Sequence, residues 1–312
     1  MLPEPLRVGV VGVGYLGRFH ALIYSRMADV DLIGVADTNL SRASEVASEA
    51  GCPVVRDPGD LFGQVDAVSI VVPTSQHLEV ARPFLQRGIH TLMEKPIAAS
   101  LPEARELVGL AERHGAVLQV GHQERFNAGV MALAERISRP RFIEAQRLGI
   151  FVERATDVDV VSDLMIHDID IILSLVKSEL VSISAIGTPV LTEHVDIANA
   201  RLEFADGAVA NVIASRVSDK RVRHIRVFQP DAYLSLDFTT QALDRAWREP
   251  RGTGERPLIQ RERLLVEPVQ PLDAELAAFV DSARTGRPPL VDGRVGLAAL
   301  EVALKVKETI GV

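Results

Sequence analysis

From Leu6 to about Gln119, short runs rich in valine and isoleucine alternate with stretches whose apolar residues recur every three or four positions. A short continuous apolar run suits a strand buried in a parallel sheet, and the three-to-four period suits a helix laid over it. The strands read as Arg7 to Val11, Asp31 to Ala36, Ala67 to Val72, Thr91 to Met93 and Val117 to Val120. Helical stretches fall near Leu16 to Met27, Leu40 to Ala50, Gln76 to Arg87 and Leu101 to His114. Strand and helix in strict alternation predict an α/β Rossmann domain, a parallel sheet with helices on both faces.

The pattern changes after a helical stretch at Arg125 to Ile137. From Phe142 to Phe238 it becomes longer strands, broken by one helix near Asp163 to Leu175. Asp206-Gly207 between the alternating runs Leu202 to Ala205 and Ala208 to Ala210 suits a tight primed turn, so antiparallel pairing is expected. Arg248 to Pro271 is rich in proline, glycine and charge and reads as an exposed loop or hairpin extension ahead of two closing helices, Asp273 to Thr285 and Asp292 to Ile310. The predicted organisation is a Rossmann domain over residues 1–121, then an α+β domain with an open, mainly antiparallel sheet over 122–312. That second domain is expected to bind the substrate and to pair with further copies, because an open sheet face is costly as bare apolar surface.

Composition narrows the function. The 312 residues are 47% hydrophobic and 24% charged, ordinary for a packed protein, and the formal net charge is −8 at pH 7. No basic run offers a phosphate-backbone footprint, which argues against nucleic acid as a partner. Cys52 stands alone, so neither an intramolecular disulfide nor a metal site of several thiolates can form. No apolar stretch reaches the about 20 residues a membrane helix needs, and the N-terminal residues lack a signal-peptide pattern. A cytoplasmic enzyme without a membrane partner is the expectation.

Gly12-Val13-Gly14-Tyr15-Leu16-Gly17 follows the first strand and opens the first helix. Gly12 permits the tight turn, Gly14 clears the approach of a pyrophosphate, and Gly17 lets helix and strand pack closely; Tyr15 and Leu16 bring first-turn N–H groups to the same phosphates. The second strand ends at Asp37, 20 residues beyond Gly17, where a carboxylate meets the adenosine ribose hydroxyls and repels a 2′-phosphate. NAD is therefore the expected cofactor, NADP the less favoured, with Arg42 the nearby residue that could soften the preference.

The fifth strand ends in Glu94-Lys95-Pro96, which puts a lysine at the carboxyl edge of the sheet where ligands of such folds bind. Farther on, Asp163 and His167 stand four apart in a predicted helix and share a face. A histidine there can take a hydroxyl proton while hydride leaves the same carbon, and Lys95 can stabilise the alkoxide. Asp168 and Asp170 read as helix-face or salt-bridge residues. Hydride transfer on this scaffold needs no metal.

The glycine turn, Glu94-Lys95-Pro96 and Asp163-x-x-x-His167 together resemble the glucose–fructose oxidoreductase, inositol dehydrogenase and MocA-like (Gfo/Idh/MocA) family, over the whole chain. The resemblance implies Lys95, Asp163 and His167 as catalytic residues, and the Pro73-Thr74-Ser75-Gln76-His77 stretch as the nicotinamide-side loop, with Pro73, Thr74, His77, Glu94 and Lys95 beside the cofactor. It also places the family's arginine-aromatic segment at Gly121 to Asn127, with His122, Glu124, Arg125 and Phe126 toward the substrate. The chain departs from the family in having Met165 where glycine is common and Ala128 where proline is frequent, changes that bear on the substrate. His77 and His122 also suit packing or capping, and Arg125 an interdomain ion pair. Within the family the chain is most similar to bacterial enzymes that oxidise the 3-hydroxyl of UDP-N-acetylglucosamine for amide-linked lipid A, and Arg125, Arg147 and Arg216 could meet the diphosphate. An inositol or free-sugar dehydrogenase is the alternative within the class; a non-catalytic NAD-sensing regulator is the alternative outside it. A homodimer or homotetramer through the second-domain sheet is expected.

Overall fold

The computed structural model describes residues 4–152, 158–249 and 257–311. The chain divides into two compact units, Met1–Gln123 with Pro271–Leu300, and Glu124–Gln270 with Glu301–Val312.

The first unit carries β1 (Leu6–Val11), α1 (Tyr15–Tyr24), β2 (Val30–Ala36), α2 (Leu40–Ala50), β3 (Val54–Val55), β4 (Ala67–Ile70), α3 (His77–Leu85), β5 (His90–Glu94), α4 (Leu101–His114) and β6 (Leu118–Gly121). The sheet order is β3-β2-β1-β4-β5-β6, parallel throughout. Local chemistry sets the ends of the helices. The Asn39 side chain accepts the Arg42 N–H at the start of α2, Ser100 accepts Glu103 N–H at the start of α4, and both helices stop on left-handed glycines, Gly51 and Gly115. Strand order reverses between β1 and β4, which opens a crevice at the carboxyl ends of the strands, beside Gly12, Pro73 and Lys95.

The second unit opens with a 3₁₀ turn, Gln123–Phe126, and a short helix α5 (Ala128–Ala134), then β7 (Phe142–Leu148). The expected helix from Arg125 to Ile137 is split, because the Asn127 side chain accepts the Gly129 N–H and starts a helix there. A π-helical turn, Val161–Met165, leads into α6 (Ile166–Leu175), where a plain α-helix from Asp163 was expected. The strands β8 (Leu180–Thr188), β9 (Ile197–Phe204), β10 (Val209–Ser215), β11 (Val222–Gln229), β12 (Ala232–Asp237), β13 (Ala242–Glu249) and β14 (Leu258–Leu264) complete an eight-stranded sheet of order β14-β13-β12-β11-β7-β10-β9-β8. Among the described residues of this sheet, only β7 and β10 pair in parallel. The Asp-Gly turn joins β9 to β10 with Gly207 at φ 82°. The proline- and glycine-rich stretch yields β14, paired antiparallel with β13, and its residues 250–256 lie outside the described ones.

Alternation along these strands makes two faces. Ile143, Ala145, Ala200, Leu202, Val212, Ile225 and Val227 are buried on one. The other carries half-exposed side chains, among them the aromatic row Phe142, Phe228 and Tyr233 and the ion pair Glu144–Arg226 at 2.7 Å.

Two helices close the chain, α7 (Pro271–Thr285) and α8 (Gly293–Ile310). α7 buries Leu276, Phe279, Val280 and Ala283 in one core with Val8, Val10, Ala21 and Tyr24. Residues 271–300 therefore belong to the first unit, which corrects the expected division into 1–121 and 122–312. The reason is packing: the apolar face of α7 lies on α1 and finishes the cover of the parallel sheet.

Candidate active site

The glycine turn has the geometry its residues require. Gly12 adopts φ 86°, and a Cβ there would stand 2.5 Å from the Val71 carbonyl oxygen. A Cβ on Gly17 would stand 1.9 Å from the Gly12 oxygen, so only glycine allows α1 to start so close to β1. Gly14 differs: among the described residues nothing lies within 4 Å of its would-be Cβ, and no side chain caps α1. Open space in front of the first turn of α1, Tyr15 to Gly17, fits a dinucleotide pyrophosphate. Asp37 closes the far side by accepting the N–H of Val13 at 2.8 Å and of Asn39 at 2.8 Å. Arg42 donates to the Val13 carbonyl at 3.0 Å and pairs with Glu45 at 2.8 Å.

At the ends of β4 and β5, buried side chains hold the loops. His77 places its ring nitrogens 3.0 Å from the Val72 oxygen and 3.3 Å from the Ile97 oxygen, and burial pushes its imidazole below the ordinary value. It stays neutral at pH 7 and ties the Pro73-Thr74 loop to the loop after β5. Glu94 is likewise buried; one oxygen accepts the Lys95 N–H at 3.2 Å and the other lies 3.3 Å from His20 Nε2. Both residues were expected beside the cofactor, and in the structure their hydrogen bonds and close contacts run to the chain around them. Lys95 itself is half-buried just past β5, with a cis peptide to Pro96. His122 is buried directly after β6.

In the second unit Asp163 lies in the π turn and His167 is the second residue of α6. Such single wide turns recur where helices carry functional groups. Asp159 anchors this one: it accepts the N–H groups of Val161 at 3.0 Å and Ser162 at 2.9 Å, and Lys307 Nζ stands 2.8 Å from it. Burial opposes its charge, but Lys307 and the Ser162 donors outweigh burial and hold the carboxyl below the ordinary range.

The arginines do not lie as expected. Arg147 is buried and donates from two nitrogens to both oxygens of Asp168, each at 2.9 Å, and from the third to Glu124 at 2.7 Å. Burial works against its charge, yet these two carboxylates raise the guanidinium above its ordinary value. Arg125 pairs with Asp170 at 3.3 Å, and Arg216 donates to the Val158 carbonyl and stands 3.6 Å from Asp196. All three have internal partners, where contact with a diphosphate was one expectation and, for Arg125, an ion pair the other; Asp168 and Asp170 take part in salt bridges. Glu124 and Phe126 are buried, the first within this network. Arg223 is the cation that the sequence reading missed: it is in register with Arg147 on the neighbouring strand, half-exposed, and 4.0 Å from Glu124. Strand alternation from Ile225 and Val227 could have shown that it shares the covered face. Among the described residues no group of three or more histidine, cysteine, aspartate or glutamate side chains could hold a metal ion.

Comparison with known proteins agrees with the two units. Residues 6–122 match the model of an oxidoreductase family with an NAD-binding Rossmann fold, and residues 134–234 match the Gfo/Idh/MocA C-terminal domain. The chain belongs to the Gfo/Idh/MocA oxidoreductase family. The family is one of oxidoreductases, and homologues of the chain are named dehydrogenases. UDP-N-acetylglucosamine 3-dehydrogenase of Acidithiobacillus ferrooxidans is 39% identical over 97% of this chain and 96% of its own length. A solved structure of that enzyme superposes with a TM-score of 0.92 over 98% of this chain and 97% of its own. Myo-inositol 2-dehydrogenase of Thermotoga maritima is 25% identical over 98% of this chain and 96% of its own length. The solved structure shares the parallel six-stranded sheet followed by a mainly antiparallel eight-stranded one.

Proposed function

We propose that this dehydrogenase oxidises the 3-hydroxyl of UDP-N-acetylglucosamine with NAD as acceptor, in the cytoplasm and upstream of an aminotransferase that serves amide-linked lipid A. The observation that carries the substrate is the likeness to the Acidithiobacillus ferrooxidans enzyme, 39% identical along nearly the full length of both chains. NAD, when bound, would supply the hydride acceptor. The chain's own groups do the rest. His167 receives the hydroxyl proton, the Lys95 ammonium stabilises the developing alkoxide, and Asp163 orients the base, so the alcohol becomes a ketone with one proton and one hydride removed. Gly14 and the first turn of α1 receive the pyrophosphate. Asp37 meets the ribose hydroxyls, and with Arg42 tied to Val13 and Glu45 the preference is for NAD over NADP. Pro73 and Thr74, steadied by His77, border the nicotinamide, and His122, Arg125 and the neighbouring Glu124–Arg147 network shape the substrate side.

The test mixes purified protein, NAD and UDP-N-acetylglucosamine and follows NADH absorbance. Turnover is expected, and Lys95→Met should reduce it by at least about 10²-fold while NAD titration is unchanged. Loss of NAD binding together with turnover would refute the role of Lys95. A free-polyol reading has one observation in its favour, the commitment of Arg125, Arg147 and Arg216 to carboxylates rather than to a diphosphate. Myo-inositol, scyllo-inositol and free hexoses in the same assay distinguish the two.

A further inference from the structure

Glu275 lies in α7, away from the glycine turn, and no part of the reaction above uses it. It is fully buried, and neither carboxyl oxygen has a hydrogen-bond partner among the described residues. Four groups face it or share its surroundings: Glu94 at the end of β5, His20 and Tyr24 on α1, and Gln119 on β6, whose side chain donates 3.1 Å to the Glu275 main-chain oxygen. An unpaired carboxylate in such a place is too costly to keep, so Glu275 is held as the neutral acid: burial raises it well above the ordinary range and the negative charge of Glu94 raises it further. The pocket then holds one anion, Glu94, placed between His20 and the Lys95 N–H. A Cβ on Gly121 would stand 2.9 Å from the Glu94 carboxyl, so the Glu94 side chain has no room to retreat on the β6 side.

We propose that Glu275 is a positioning residue: by staying uncharged it leaves Glu94 as the single anion behind Lys95, and its ionisation expels Glu94 from the Lys95 main chain and disables the lysine. Two neighbouring buried carboxylates cannot both stay ionised in place, and the Glu94 carboxyl is the one that holds the Lys95 N–H. The inference rests on the reading of Lys95 as a catalytic residue and adds an alkaline limit to it.

The sign of the stability effect is fixed by linkage. In the unfolded chain Glu275 loses its proton in the ordinary carboxylate range, whereas the folded protein keeps it to higher pH, so stability falls as pH rises from that range toward the folded value. The experiment compares the wild-type enzyme with Glu275→Gln, an isostere of the neutral acid, and Glu275→Met, an apolar side chain of similar volume. Melting temperature is followed against pH, kcat against pH with NAD and UDP-N-acetylglucosamine, and hydrogen exchange of the 90–97 segment, β1 and β4 at neutral and at alkaline pH. The expected result is a wild-type kcat that falls about tenfold per pH unit in the alkaline range, with that limb moved to higher pH in both variants, where loss of the Lys95 proton sets it, and with the decline of melting temperature toward alkaline pH reduced in both. The 90–97 segment should exchange faster in the wild type than in either variant at alkaline pH. Equal pH profiles and equal exchange in all three proteins would overturn the proposal. If neither variant folds, the wild-type segment alone decides: it must lose protection with rising pH beyond the change seen in β1 and β4, and parallel behaviour refutes the idea. If UDP-N-acetylglucosamine is not turned over, the substrate reading fails while the melting and exchange measurements still decide on Glu275.

Discussion

Single side chains in this enzyme are decided less by type than by what the fold sets opposite them. Arg147 looks like a ligand-binding cation in the sequence and is instead the centre of a buried pair with Asp168 and Glu124. Removing one member leaves buried charge without a partner, so Arg147→Met should lower unfolding stability by about 3–5 kcal/mol in urea titrations. The glycines, Asp37 and Lys95 were legible because strand, turn and chemistry coincide within short stretches of sequence. The partners of Arg147 and the burial of Glu275 were not, since they depend on contacts across 21 residues or more and on a charged residue sitting on the apolar side of α7. Asp196 makes the same point through pH. Burial disfavours its charge, but the N–H groups of Thr192, Val190 and Leu191 outweigh that and hold the carboxyl at about 2. Its contribution is present above the ordinary carboxylate range and is lost as pH falls toward about 2. Asp196→Asn should therefore flatten the acid limb of melting temperature against pH between those limits.

At the scale of elements, the period of apolar residues located five of the six parallel strands and the helices between them. β3 escaped because two residues carry no period, and the wide turn at Val161–Met165 escaped because an inserted residue leaves the hydrophobic spacing almost unaltered. The placement of α7 escaped for another reason: an amphipathic helix announces that it has a core to cover, but not which one. Phe279 lies in the core of the first unit, and Phe279→Ala should cost about 3–5 kcal/mol, read as a lower denaturation midpoint for NAD-protected unfolding. A fragment ending at Gln123 leaves that core uncovered and is expected to show no cooperative thermal transition, while restoring residues 271–300 through a linker should bring the transition back.

For the molecule as a whole, the open face of the eight-stranded sheet carries Phe142, Phe228 and Tyr233 in a row beside half-exposed aliphatic residues. We expect this face to meet a second copy in solution. Light scattering should report a dimer or tetramer, and Phe228→Glu should shift it to the monomer without loss of NAD binding; a monomeric wild type would dismiss the interface. The ion pair of Lys307 with Asp159 links the last helix to the loop that sets up the π turn. An exopeptidase that trimmed the tail back past Lys307 would thus impair the turnover number before it unfolded anything, so heterogeneous carboxyl termini in a preparation would be read as a mixture of fast and slow enzyme.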